Sequence, residues 1–309
     1  MLGIEQLQTI ARTVTPIAMD LYDKENVASP LPFLAAPVTR RGNQKTVRLE
    51  WWSVFPQMRE WLDEKTTQKA FKDDMELVIK PYEITYDFDR IEASFDDALA
   101  SAQDLGGRIA TAFAQGKVLK AYSPLANNET TYDGQDFFDT GHLHPDDTTF
   151  SNLVDFNRAT VASPTVAEAR GELKLAMATL AQNHLIRNTL VSSAAMGDSL
   201  LVIARSFNVW QAYEDLRTEE KIGEDINRFR GKFQLLRDFA PVSGQESTVD
   251  IVHSMPGGPR PTVMAIHQEV SGLQFGTPDF TKRKVAFGME AQYAFGPGFP
   301  QCAVRINPT

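Results

Sequence analysis

Ser94–Ala121, SFDDALASAQDLGGRIATAFAQGKVLKA, is the stretch on which the fold turns. Ser94 with Asp97 makes a capping-box type of start, a hydroxyl for an orphan N–H and a carboxylate in the first turn. Phe95, Ala98, Leu99, Ala102, Leu105, Ile109, Ala112, Phe113 and Leu119 follow at steps of three and four, with one longer step after Phe113. That spacing predicts one apolar stripe on a helix. Asp96, Asp97, Gln103, Asp104, Arg108, Gln115 and Lys117 fall to the opposite face. Such a helix runs roughly 39 Å, long enough to be a spine and not a local brace. Gly106-Gly107 weakens its middle by about 1–2 kcal/mol relative to alanine. The pair marks either a bend or a place where another backbone comes close. The plain alternative is an ordinary long core helix.

Upstream the chain is extended. Ile4, Leu7, Ile10 and Ala11 predict a short amphipathic helix ending near Pro16, and Ala18–Lys24 another turn or two. Ser29–Pro37 holds three prolines, which argue against a helix and a central strand and for an extended arm. An oligomer can use such an arm to strap a neighbour. Val47, Leu49 and Trp51 alternate with Arg48 and Glu50; Met75, Leu77 and Ile79 alternate again; Tyr82, Ile84, Tyr86 and Phe88 follow. Residues 46–92 therefore predict a long antiparallel ribbon with a bulge or edge at Pro81. An isolated hairpin is marginal in water, so the ribbon wants a partner surface.

Downstream, residues 122–147 are rich in turn formers, and Phe150–Phe156 suggests a strand. Ser163-Pro164 opens a helix lined by Val166, Ala169, Leu173, Met177 and Leu180. Leu185–Ser192 reads as a strand or a continued helix, Leu200–Ala204 as a short buried strand and Val209–Leu216 as a helix. Lys232–Phe239, Thr248–Val252 and Thr262–His267 are strands, and Met255–Pro261 is the clearest internal breaker. Val285–Phe295 alternates without error, and Cys302–Ile306 closes in a further strand.

The 309 residues carry a formal charge of −9 and no basic run, which argues against a surface that reads nucleic acid. A single cysteine, Cys302, excludes an internal disulfide and a thiolate cage. The first eleven residues show no signal-peptide pattern, and no apolar run approaches the ~20 residues that cross a bilayer. These features predict a soluble chain made in the cytoplasm.

For chemistry, the sharpest cluster is Asp139-Thr140-Gly141-His142-Leu143-His144-Pro145-Asp146-Asp147. Two histidines among carboxylates offer ligands for a divalent metal, but the spacing matches no helical pair, and a polar turn explains it equally well. A metal-dependent enzyme using Asp139, His142 and His144 is the minor alternative. Gly257-Gly258 and Gly296-Pro297-Gly298 lack the pattern of a phosphate loop. The expectation is no catalytic, cofactor-binding or metal residue. Trp51, Trp52 and Trp61 are expected as contact surface on the ribbon.

Phe55–Trp61, Phe71–Lys80, Tyr86–Arg90, and above all Tyr132-Asp133-Gly134-Gln135-Asp136-Phe137-Phe138-Asp139-Thr140 with His142 behind it, resemble the major head subunit of Mu-like tailed phages. Leu200–Leu216 fits the same order. The resemblance covers most of residues 45–220, while Phe295–Pro300 departs from the family's aromatic Gly-Tyr-Gly ending. It implies an α+β chain of the Hong Kong 97-type capsid fold. Its parts would be an N-terminal arm (1–44), an extended loop or β-ribbon (45–93), a peripheral domain with the spine helix (94–155), an axial domain (156–261) and C-terminal strands returning to the peripheral domain (262–309). It further implies a major capsid protein, not an enzyme. Copies would assemble as pentamers and hexamers into an icosahedral virion shell around double-stranded DNA, with scaffold, portal and decoration proteins as partners and no cofactor or membrane. An encapsulin-like compartment shares the fold and is the alternative.

Overall fold

A computed structural model describes residues 4–39, 45–52, 72–89, 98–143, 148–183, 199–238, 242–254, 259–275 and 284–309. Its first element, α1 (Ile4–Ala28), runs through Pro16 instead of stopping there. A proline inside a helix costs about 3 kcal/mol. Here Val14, Ala18 and Tyr22 are buried on either side of it, and that packing holds the helix together. The proline-rich segment also differs from expectation. Leu31–Leu34 forms one helical turn, α2, and Ala35–Thr39 a strand, β1. Pro30 and Pro32 sit at the start of the turn, where no N–H is needed. Leu31 and Leu34 are buried in the chain's own core, so residues 28–37 lie across their own body.

The ribbon is shorter than its alternation suggests. β2 (Thr46–Trp52) pairs antiparallel with β3 (Lys72–Val78), but β4 (Lys80–Asp89) leaves them and joins a sheet. There it pairs with β15 (Lys284–Pro297) over ten residues. On its other flank β15 takes β13 (Thr262–Gln268) and β14 (Gln274–Phe275), and β13 carries β1 in parallel at the far edge. An edge strand tolerates Pro37. The spine, α3 (Ala98–Ala126), lies against this sheet and against α1. It reaches five residues past the expected end; the expected Ser94 cap falls outside the described residues, as do 53–71, His144, Leu185–Ser192 and 255–258.

After α3 the chain makes β5 (His142–Leu143), β6 (Thr149–Phe150) and β7 (Leu153–Phe156). α4 (Val166–Gln182) follows; Thr165, not Ser163, is its cap, in a reciprocal box with Glu168. Then come β8 (Leu200–Ala204), α5 (Phe207–Thr218), the small hairpin β9 (Lys221–Ile222) and β10 (Asp225–Ile226), β11 (Phe233–Arg237), β12 (Val249–His253) and β16 (Ala303–Pro308). The second sheet has the order β11-β8-β12-β16-β7. α4 and α5 cover one face through Leu173, Leu180, Val209 and Tyr213. The other face, Leu201, Ile203, Val252 and Ala303, meets the end of α3 and α2. Both faces are covered, which is why β8 is apolar at every position.

Candidate assembly surface

Gly106 and Gly107 answer the question their pairing poses. A Cβ on Gly106 would stand 2.6 Å from Val14 Cγ1, and one on Gly107 3.1 Å from Leu21 Cδ1. The glycines are where α1 crosses the spine.

The stripe on α3 holds at Ala102, Ile109 and Phe113 but not at Leu99 and Ala112, which are exposed, and past Phe113 it departs further from expectation. Leu119, expected inside, is 64% exposed, and Lys117, expected outside, is 7% exposed. A step of six residues from Phe113 swings Leu119 well off the stripe, while a step of four keeps Lys117 on it. The buried ammonium is held by Glu269 at 2.9 Å and lies 4.9 Å from the Tyr293 ring centroid. Tyr22 of α1 and Tyr293 both donate to Glu269. Burial acts to raise the Glu269 carboxyl, but the hydrogen bonds from Tyr293, Lys117 and Tyr22 hold it below the ordinary range. α1, α3 and β15 are thus tied at one point.

The far end of the spine is tied to the second sheet. Asp250 on β12, fully buried, accepts from Arg205 (2.7 Å), Arg305 (2.7 Å) and Tyr122 of α3 (3.0 Å). Arg305 also donates to the Leu125 carbonyl at 2.9 Å. Burial acts to raise the Asp250 carboxyl, and the two guanidinium groups more than offset it. In α4, Glu172 takes both a bidentate Arg158 and the Tyr213 hydroxyl. One helix therefore couples both sheets.

Tyr132–Thr140 forms a self-bonded loop. Asn128, at φ 53°, accepts from Phe138 N at 2.7 Å. Asn152 donates to the Phe137 and Pro300 carbonyls and accepts from Asp139 N. Phe137 and Phe138 anchor the loop in the core. His142, the first candidate metal ligand, is buried here with Nδ1 2.7 Å from Asp133 and Nε2 3.1 Å from the Phe137 carbonyl. Both ring nitrogens are spent on acceptors, and the ring stacks on Phe150. Asp139 accepts from Gly141 N. Among the described residues no group of three metal-binding side chains comes together. Cys302 is buried, its thiol pushed up to about 12 by loss of solvent, and is a packed side chain. Among the described residues no helix is long and apolar enough to cross a membrane.

The ribbon stands on the sheet face opposite α3. Val47 and Leu77 pack on Ala265 and Ala294, and Gly296 lets Leu77 lie directly on β15. The other ribbon face carries the exposed pair Arg48–Asp74 at 2.8 Å. Past this root, β2 and β3 continue with only each other as strand partners among the described residues.

Residues 24–164 match the family described as Mu-like prophage major head subunit gpT. Among curated proteins nothing matches. In the mature capsid of bacteriophage PhiM1 a chain is similar at TM-score 0.57 and 9% identity, with 89% of this chain and 85% of that one covered. A capsid chain of cyanophage P-SCSP1u follows at 0.54 and 9%, covering 89% and 86%. A virus-like particle from Pyrococcus furiosus gives 0.50 and 13%, covering 96% and 98%. At such identities the likeness establishes the fold, and it is the Hong Kong 97-type, α+β fold of capsid subunits. Residues 24–164, which span the ribbon, the spine and the Tyr132–Thr140 loop, are thus similar to the major head subunit family of Mu-like phages.

Proposed function

We propose that copies of this chain form pentamers and hexamers that close into an icosahedral phage head around double-stranded DNA. The observation that carries this reading is the family match over residues 24–164, which includes the ribbon and the spine. Many weak symmetric contacts add to a stable shell without any one being strong. The division of labour proposed is an arm over 1–44, an extended loop over 45–93, a peripheral domain over 94–155, an axial domain over 156–261 and returning strands over 262–309. Assembly proceeds in the host cytoplasm, with scaffold, portal and decoration proteins as further partners. The net charge of −9 keeps the subunit from adhering to packaged DNA.

Electron microscopy of the purified protein tests this: rings or closed shells are expected. A strictly monomeric species under every assembly condition would remove the reading. The encapsulin-like alternative shares the fold, but the family match favours the phage head.

A further inference from the structure

Gly116 sits in the interior of the spine, where glycine weakens a helix. Unlike Gly106, it has nothing within 4 Å of where its Cβ would be. The space beside it is a cavity of about 180 Å³ between α3 and the paired strands β4 and β15, walled by Tyr82, Ile84, Phe113, Tyr293 and Phe295. Two losses coincide there. The helix forgoes propensity at Gly116, and the ring walls forgo the dispersion contacts that a filled interior would give them. Local rules broken together, with no compensation from the chain's own packing, mark a place built to hold something.

We infer that the cavity is a binding site for a small neutral aromatic molecule, of one ring or two fused rings, held between the spine and the sheet. Size sets the first limit: an apolar cavity of about 150 Å³ stays dry and takes up benzene, and this one is slightly larger. Shape sets the second. Tyr82, Tyr293 and Phe295 stand with ring centroids 5.8–6.2 Å apart and planes inclined at 33–74°. They offer both faces and edges, the surfaces against which another ring packs best. Charge sets the third. Lys120 and Glu83 line the cavity with opposite signs, and Lys117 is paired with Glu269 at 2.9 Å. The site therefore has no net attraction for a carboxylate or an ammonium group. The cation-binding faces of its rings are also in use: the Lys117 ammonium lies 4.9 Å from the Tyr293 centroid and that of Lys120 5.9 Å from the Tyr82 centroid. A ring without charge is what remains. Bound there, it bridges Phe113 on α3 to Ile84 on β4 and braces the spine against the sheet. All these walls come from one chain, so the site does not depend on the shell reading.

Indole is the probe, titrated into the purified full-length chain labelled at its isoleucine methyl groups. The Ile84 methyl signal should move and saturate with a Kd on the order of 1 mM or tighter. Those of Ile203 and Ile251, buried in the cores on either face of the second sheet, should stay in place. The melting temperature should rise along the same curve. Gly116→Leu fills the cavity from the helix side and should weaken binding on the order of tenfold or more. No saturable movement of Ile84, or equal movement in Gly116→Leu, overturns the inference. A second measurement needs no variant: benzoate, a ring of similar size with a charge, should bind the unmodified chain on the order of tenfold more weakly than indole. Equal binding of the two overturns the assignment of a neutral ligand.

Discussion

Gly106 of the spine lies directly beneath Val14 of α1, so close that a single added methyl would stand 2.6 Å from Val14 Cγ1 and 3.1 Å from Leu273 Cδ1. Gly106→Ala gains about 1 kcal/mol of helix propensity but overpacks this crossing by about 1–3 kcal/mol. The net expectation is a loss near 1 kcal/mol in denaturant unfolding. Gly116→Ala, with open space around it, should stabilise the subunit by up to about 1 kcal/mol. Equal effects at the two positions would contradict the packing described.

Asp250→Ala leaves the buried guanidinium groups of Arg205 and Arg305 without their shared carboxylate. Removing one partner from a buried ion cluster costs about 3–5 kcal/mol. Tyr122→Phe, which removes only a hydrogen bond to the same carboxylate, should cost about 1–2 kcal/mol. Urea midpoints for the two variants check the order.

Asp133, Asp250 and Glu269 all have carboxyls held below their ordinary values. In each, burial opposes ionisation, and hydrogen bonds or cations outweigh it. For a depressed carboxyl the stabilisation is complete above the unfolded value, about 4, and is lost as pH falls through the folded value. The melting temperature should therefore hold from neutrality to about pH 5 and fall below about pH 4. Asp133→Asn should flatten part of that fall; a slope identical to that of the parent would show that the His142 contact does not supply it.

Leu77→Ser cuts the ribbon's root from Ala265 and Ala294. The two sheets keep their own cores, so the subunit should stay folded by circular dichroism. Particle yield should drop, because the ribbon loses the seat that aims it. Gly296→Val, which puts bulk where Leu77 now lies, should act the same way. Sedimentation of assembly mixtures separates the two effects.

Much of the architecture was legible beforehand. Strict alternation over Val285–Phe295 marked β15, and the continuous apolar run Leu200–Ala204 marked a strand covered on both faces. The Gly106-Gly107 pair left a bend or a close approach open, and the crossing of α1 is the close approach. The polar anchors were less legible, yet they left a trace: Asp250 and Arg305 are lone charges inside apolar strands, and Glu172 falls on the inner stripe of α4. What the pattern of the candidate metal cluster could not show is that His142 is held by Asp133, nine residues earlier, and by a backbone carbonyl.

Periodicity and turn chemistry are local, and they were enough to determine the spine, most of the longer strands along the chain and the ribbon's existence. Pairing is not local. Which strand β4 would join, whether Pro16 would end α1, and whether 28–37 would lie on its own body each depended on partners more than a hundred residues away. Only tertiary burial decided them: the energy of covering Leu34, Tyr22 and Lys117 outweighed the local preferences of proline and charge.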